Sequence, residues 1–334
     1  MPILKWFKFN RSWANNWSPV PHSYIKDEAL RNVIHEEGLK VTPFLSQMQL
    51  SQLKELYRAE HNIQDAEGGM FYSVYSQDVA YRKRVHDQIG QILSPSLDAL
   101  LSGYRPVLNS FIIKAPGPKS EFALHQDTTG LDEHTYSALN IWIALEDVNE
   151  EDGALCVVRK SHHFFSPYRS ISFPPPYKNI PDTVRQYLEP VTVKAGEAIV
   201  FDNRLLHNSL PNLSGKPRVA VVSGIFPKDA KLITCYKDAT DPAADIELIE
   251  HPDDFLLTHP NFLIDCHTRP PIGKTIGFVK DEYPMMAAKE FERLCKKNGI
   301  EKQNFWNLTN SQQGNLIGEP NHKGSSQTPS KSIA

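Results

Sequence analysis

The sequence predicts a mainly β fold with helices packed outside it. From about residue 107, short runs rich in Val, Ile and Phe follow one another: VLNSFIIKA, EFALHQD, YSALNIWIALED, GALCVVRKSH, EPVTVKA, EAIVFDN and RVAVVSGIF. Turn residues separate them, and that density of short strands points to a sandwich or barrel. Upstream, residues 21–101 place apolar residues at helical spacing. The chain has 334 residues, 40% hydrophobic and 22% charged, which is ordinary for a globular protein and enough for a sizeable core.

Taken in order, the N-terminal MPILKWFKFNRSW lacks a long apolar stretch, so no cleaved signal peptide is expected. SQMQLSQLKELYRAEH (46–61) brings Met48, Leu50, Leu53 and Leu56 close to one helical face, and RKRVHDQIGQILSPSLDALLSG (82–103) repeats the pattern until Ser102-Gly103 closes it. These form a helical layer over 20–103. The β core spans 105–228. Within it, Ala138, Asn140, Trp142 and Ala144 share one strand face and Leu139, Ile141, Ile143 and Leu145 the other. Both faces are largely apolar, so this strand is expected to be covered on both sides. Asn140 is then an interior amide that needs partners, either a ligand or a neighbouring loop.

A Pro- and aromatic-rich insert, residues 164–190, interrupts the strands and either shapes a site or simply connects them. Past Asp229 the pattern turns irregular, apart from an amphipathic helix over 281–300 stopped by Gly299. One domain over 1–310 is expected, with 229–310 as a C-terminal extension and 311–334 as a polar, disordered tail.

Composition excludes several classes. Lys and Arg number 36 against 39 Asp and Glu, a formal charge of −3, with no basic cluster of the kind nucleic acid requires. Cys156, Cys235, Cys266 and Cys295 show no Cys-x-x-Cys spacing, which argues against a disulfide framework or structural zinc and fits a reducing cytoplasm. No apolar run approaches the about 20 residues needed to span a bilayer. A soluble, cytoplasmic protein acting on a small molecule is expected.

EFALHQDTTG (121–130) raises the chemical question, because an apolar run ends on His125 and Asp127 follows two residues later. Residues two apart on a strand point the same way, so both can reach one ion while Gln126 points away. Such a triplet arises by chance and alone decides nothing. The stretch KAGEAIVFDNRLLHNSLPNLSGKPRVAVV (194–222) adds His207 near another strand end. Two imidazoles and one carboxylate make the 2-His-1-carboxylate arrangement, which holds Fe(II) and leaves positions open for a co-substrate and O2. Arg218 opens the next strand, where its guanidinium can clamp a carboxylate in a bidentate fork, and Ser209 can add a hydroxyl to the same group. The competing reading of Arg218 is a plain surface ion pair.

On these residues the chain resembles the phytanoyl-CoA dioxygenase-like Fe(II)/2-oxoglutarate oxygenases. The matching strings are LHQD (124–127), ALNIWIALEDVNEEDGALCVV (138–158), the Ser-His of KSHH (160–163) and GEAIVFDNRLLHNSLPNLSGKPRVAVV (196–222). They cover about 105–226, and more loosely the helical N-terminal region. The resemblance implies a double-stranded β-helix, the jelly roll shared with cupins, with helices outside. It implies His125, Asp127 and His207 as the iron triad, with Arg218 and Ser209 on the far carboxylate of 2-oxoglutarate. Asn140, Lys114 and Trp142 are implied near the co-substrate or as pocket wall. Where many relatives read Pro-Gly-Ser-His, this chain has Arg159-Lys160-Ser161-His162, which puts the local turn in question. His162, His163, His259 and His267 have no triad context and are read as structural or surface residues.

The expected activity is hydroxylation of an unactivated C–H in an amino-acid derivative, acyl thioester or specialised metabolite. It is coupled to decarboxylation of 2-oxoglutarate to succinate and CO2. The carboxylate at 127 favours hydroxylation over halogenation, since related halogenases carry a small residue there. The alternatives are desaturation or cyclisation on the same fold, a cupin-like metal protein without oxygenase activity, or a non-catalytic binding domain. Substrate identity and oligomeric state are not legible.

Overall fold

Alternation along the strands decides the architecture. A computed structural model describes residues 18–61, 69–164, 168–259, 265, 268–281 and 285–303. Asp27 caps α1 (Glu28–Glu37) by accepting the Leu30 N–H, and Gly38 closes it in the left-handed conformation. β1 (Leu39–Pro43) follows directly. Ser46 and Gln49 form a reciprocal capping box at the start of α2 (Gln47–Glu60). β2 (Met70–Tyr72) precedes α3 (Val79–Leu100), which Asp78 caps. The core strands are β3 (Tyr104–Lys114), β4 (Phe122–His125), β5 (Leu139–Ala144) and β6 (Leu155–Val157). After the short α4 (Pro181–Arg185) come β7 (Glu189–Val191), β8 (Glu197–Asp202), β9 (His207–Ser209) and β10 (Arg218–Pro227). The C-terminal part holds β11 (Leu232–Tyr236), β12 (Ile246–His251), α5 (Phe255–Thr258), β13 (Lys274–Val279) and α6 (Ala288–Lys297).

Two antiparallel sheets face each other. The larger runs β1-β8-β5-β10-β3-β2 and the smaller β4-β9-β6-β7. Leu139, Ile141 and Ile143 of β5, with Val219 and Val221 of β10, pack under α1 to α3 through Ile34, Leu53, Val85, Ile89 and Leu93. The alternate residues Trp142, Ala144, Ile199, Phe201 and Ala220 meet Leu155, Val157 and Val191 of the small sheet. The two-residue period thus feeds two cores at once, as the apolar character of both β5 faces predicts. Each fully buried Ile or Leu contributes about 1.5–3 kcal/mol, so the sheet between these layers is firmly held. The arrangement is a jelly-roll-type fold of antiparallel sheets with helices outside, and the sheets do not join into a closed barrel.

Three expectations change. The segment 20–103 is not purely helical, because β1 and β2 lie within it and form both edges of the large sheet. Their few residues are too short to show alternation. Met48 does not share the buried face of α2, being 68% exposed, whereas Leu50 and Leu53 are buried. The region after 229 is not irregular: β11-β12-β13 form a third antiparallel sheet. β13 is half-buried to exposed along its length, so its sequence lacks a clean apolar period. The C-terminal helix begins at Ala288, later than the pattern suggests, and Gly299 follows it with φ +66°. Among the described residues no helix is long and apolar enough to cross a membrane. The tail 311–334, Cys266 and His267 lie outside the described residues.

Candidate metal centre and co-substrate site

Register brings the two histidines together. β4 pairs with β9 so that His125 lies opposite His207, and their ring centroids are 4.0 Å apart. Each ring is held from behind by its own strand. His125 Nδ1 is 2.9 Å from the Ala123 carbonyl and His207 Nδ1 is 2.8 Å from that of Leu205. A carbonyl can only accept, so each Nδ1 carries the proton and each Nε2 keeps a lone pair for a ligand role.

Asp127 lies just past the end of β4 rather than on it. Its N–H donates to the Asn203 carbonyl at 3.1 Å. Asn140 donates its side-chain N–H to Asp127 Oδ2 at 2.6 Å, leaving Oδ1 at 3.7 Å from His125 Nε2. Ligand atoms of His125, Asp127 and His207 all lie within 4.8 Å of one another. Gln126 turns away and bonds the Arg204 carbonyl. Two neutral nitrogens and one carboxylate around a single point are the donor set that suits Fe(II), so the residues present fit that metal. His125 and Asp127 keep 29% and 32% of their side chains open to the cavity. Crowding nevertheless holds the His125 imidazole well below the usual range, with His207 adding to it. It also raises the Asp127 carboxyl against the opposing pull of His207, Arg169 and Asn140. A dication among the three offsets that burial cost.

Arg218 is 5% exposed. Its guanidinium lies 5.0 Å from the Trp142 ring centre and its buried Nε has no hydrogen-bond partner among the described residues. Burial lowers its pKa to about 10, still charged at neutral pH. It is not in the surface ion pair considered for it. Lys114 stands opposite Arg218 in the β3–β10 register. Its Nζ donates to Ser209 Oγ at 2.8 Å and to the Leu210 carbonyl. Burial first, then Arg218, pushes Lys114 down to about 6. Ser209 accepts from Lys114 and keeps its own O–H to donate. Ser209, Arg218, Trp142 and Asn140 line one cavity with the triad. Lys114 is fully buried behind Ser209 and is not on the cavity lining.

One residue of this site escaped the sequence reading. Arg169, in the insert, is buried, 6% exposed. It grips Glu133 through both terminal nitrogens and donates Nε–H to the Asp127 carbonyl at 2.6 Å. No sequence spacing links 127, 133 and 169. The Lys160 turn keeps the geometry a glycine would give: Lys160 has φ +61°, alone among the described non-glycine residues in the left-handed region. His162 is buried on the His35 carbonyl, as a structural histidine.

The profile of the family described as Phytanoyl-CoA dioxygenase (PhyH) matches residues 39–220, more than half of the 334. The chain belongs to this family. The matched span contains every candidate site residue named above. A phytanoyl-CoA dioxygenase of Arabidopsis thaliana is 32% identical over 133 residues, which is 37% of this chain and 46% of that protein. The phytanoyl-CoA dioxygenase domain-containing protein 1 of Danio rerio is 24% identical over 157 residues, 44% of this chain and 53% of that protein. The chain thus spans about half the length of the curated relatives it matches. Among solved structures, HygX from Streptomyces hygroscopicus, with nickel, 2-oxoglutarate and hygromycin B bound, aligns with TM-score 0.44 and 15% identity. That alignment covers 61% of this chain and 88% of that one. The epimerase SnoN, in complex with Fe3+, α-ketoglutarate and nogalamycin RO, aligns with TM-score 0.45 and 19% identity, covering 77% and 98%.

Proposed function

We propose that this protein hydroxylates an unactivated C–H of a small molecule, coupled to decarboxylation of 2-oxoglutarate to succinate and CO2. The observation that carries the reading is Arg218, a buried guanidinium without a carboxylate partner among the described residues, set against Trp142 in the cavity that holds the triad. A buried cation left unpaired is costly, and a dicarboxylate co-substrate removes that cost. His125, Asp127 and His207 would hold Fe(II), which when bound supplies the oxygen-activating chemistry. Arg218 and the Ser209 hydroxyl would grip the 5-carboxylate of 2-oxoglutarate, with Lys114 steadying Ser209. Asn140 keeps one Asp127 oxygen occupied, so a single oxygen is presented to the metal. The cavity walls fix which C–H lies near it.

The test is anaerobic titration with Fe(II) and 2-oxoglutarate, following the visible metal-to-ligand charge-transfer band. The band is expected in the wild type, absent in His207→Ala, and shifted to much higher 2-oxoglutarate in Arg218→Ala. Metal binding without a band would overturn the oxygenase reading in favour of a metal protein of the same fold.

A further inference from the structure

The cavity that holds the triad and the Arg218 end measures about 850 Å3 in all, near the upper end of the usual about 300–1,000 Å3 for small-molecule sites. Its walls come from three separate parts of the chain. Leu108 and Phe226 belong to the large sheet, Ile171 and Phe173 to the insert, and Leu232 and Leu256 to the C-terminal part. Ile171 and Met285 leave 36% and 42% of their surface in solvent at this cavity. Large apolar side chains held open to water around a concave site mark a surface awaiting apolar contact.

The charged groups on the lining are nearly all engaged. Arg169 is held by Glu133. Asp281 pairs with Lys237 at 2.7 Å. Asp127 belongs to the triad and Arg218 to the co-substrate end. Of the basic residues in and just before the insert, Arg159 pairs with Glu189 and Lys160 with Glu37. Only Lys178, exposed at the lining, keeps no carboxylate partner among the described residues. One lysine is not the cluster of cations that a diphosphate and a ribose phosphate demand. Nor, among the described residues, does the lining leave a carboxylate for an ammonium group. Tyr75 and Tyr168 offer phenol hydroxyls, suited to uncharged oxygen atoms.

We infer that the substrate is a bulky, uncharged, mainly apolar molecule carrying carbonyl or hydroxyl oxygen, taken up free rather than as a CoA thioester or an amino acid. As a statement about substrate this rests on the oxygenase reading. The apolar cavity itself stands apart from it, and the experiment separates the two.

The probe is Nile red, an uncharged multi-ring dye whose emission shifts blue in apolar surroundings, titrated into the full-length protein. One-to-one binding with a blue shift is expected, with equal affinity at low and high salt. Free coenzyme A and phenylalanine should not displace it. Leu108→Asp and Ile171→Asp each place a carboxylate in the wall and should weaken the dye at least about tenfold. Ile171 lies in an exposed loop, so its variant stays folded even if the strand variant does not. Absence of dye binding, or displacement by coenzyme A that fades with salt, or displacement by phenylalanine, overturns the inference. Loss of the charge-transfer band with dye binding intact would instead remove the oxygenase reading and leave the cavity's ligand class standing.

Discussion

Arg169 donates Nε–H to the main-chain carbonyl of Asp127 at 2.6 Å while both of its terminal nitrogens hold Glu133. The insert is tied further by Arg169 N–H to Thr129 Oγ1 and by Thr129 N–H to the Arg169 carbonyl. The loop carrying the candidate carboxylate ligand is therefore held by the segment that walls the substrate cavity.

Arg169→Gln should lower stability by about 3–5 kcal/mol, since it leaves Glu133 charged, buried and without its main partner. The double change Arg169→Met with Glu133→Gln should recover much of that loss. Fe(II) affinity should stay weakened about 10–100-fold in the double variant, because the contact to the Asp127 carbonyl is still missing. Denaturant melts and metal titration separate the two effects. Full metal affinity in the double variant would make Arg169 purely structural.

Asn140→Ala removes the donor on Asp127 Oδ2. The freed oxygen lets the carboxylate rotate, and Fe(II) affinity should fall about 10–100-fold with the fold intact. Asp127→Ala should abolish Fe(II) binding at the site. Retention of full oxygenase activity in Asp127→Ala would show that the triad is misassigned.

Lys160 carries a left-handed backbone that costs about 1–2 kcal/mol in an L-residue. Lys160→Gly relieves it but loosens the unfolded chain by about 0.5–1 kcal/mol. It also gives up the half-exposed pair with Glu37, worth about 0–1 kcal/mol. Stability should stay within about 1 kcal/mol of wild type. Lys160→Val, β-branched at the same φ, should lose more than Lys160→Gly in a denaturant melt.

His162 is fully buried, and burial pushes it down to about 3 against the weaker pull of Asp202. The unfolded chain takes up this proton near pH 6.5, whereas the folded protein refuses it until about 3. Stability from this residue is therefore complete above pH 6.5 and declines as pH falls from there towards 3. The limiting slope is about 1.4 kcal/mol per pH unit. His162→Gln should flatten the acid limb by about one proton in a pH series of melts. An unchanged slope would show that His162 is already protonated in the fold.

Much of the framework was legible because it rests on short-range rules. Two-residue alternation in YSALNIWIAL foretold the two-sided burial of β5, and the spacing of Leu50 and Leu53 foretold a helix over α2. His125, Asp127, His207 and Arg218 stood out because their residue types are costly to bury without a purpose. Arg169 stayed hidden, since its partners lie 36 and 42 residues away on a different loop. The half-buried β13 and the three-residue β2 stayed hidden because neither has enough buried positions to show a period.

Local sequence settled which segments of the central core become strands and which side chains can bind a metal, since these follow from backbone propensity and donor chemistry over a few residues. Tertiary packing settled the rest. It set His125 opposite His207, seated Arg218 on Trp142, and hung the Asp127 loop from Arg169. It also closed three distant segments around one apolar cavity. Those relationships join residues far apart in the chain, and only burial shared between folded layers could bring them together.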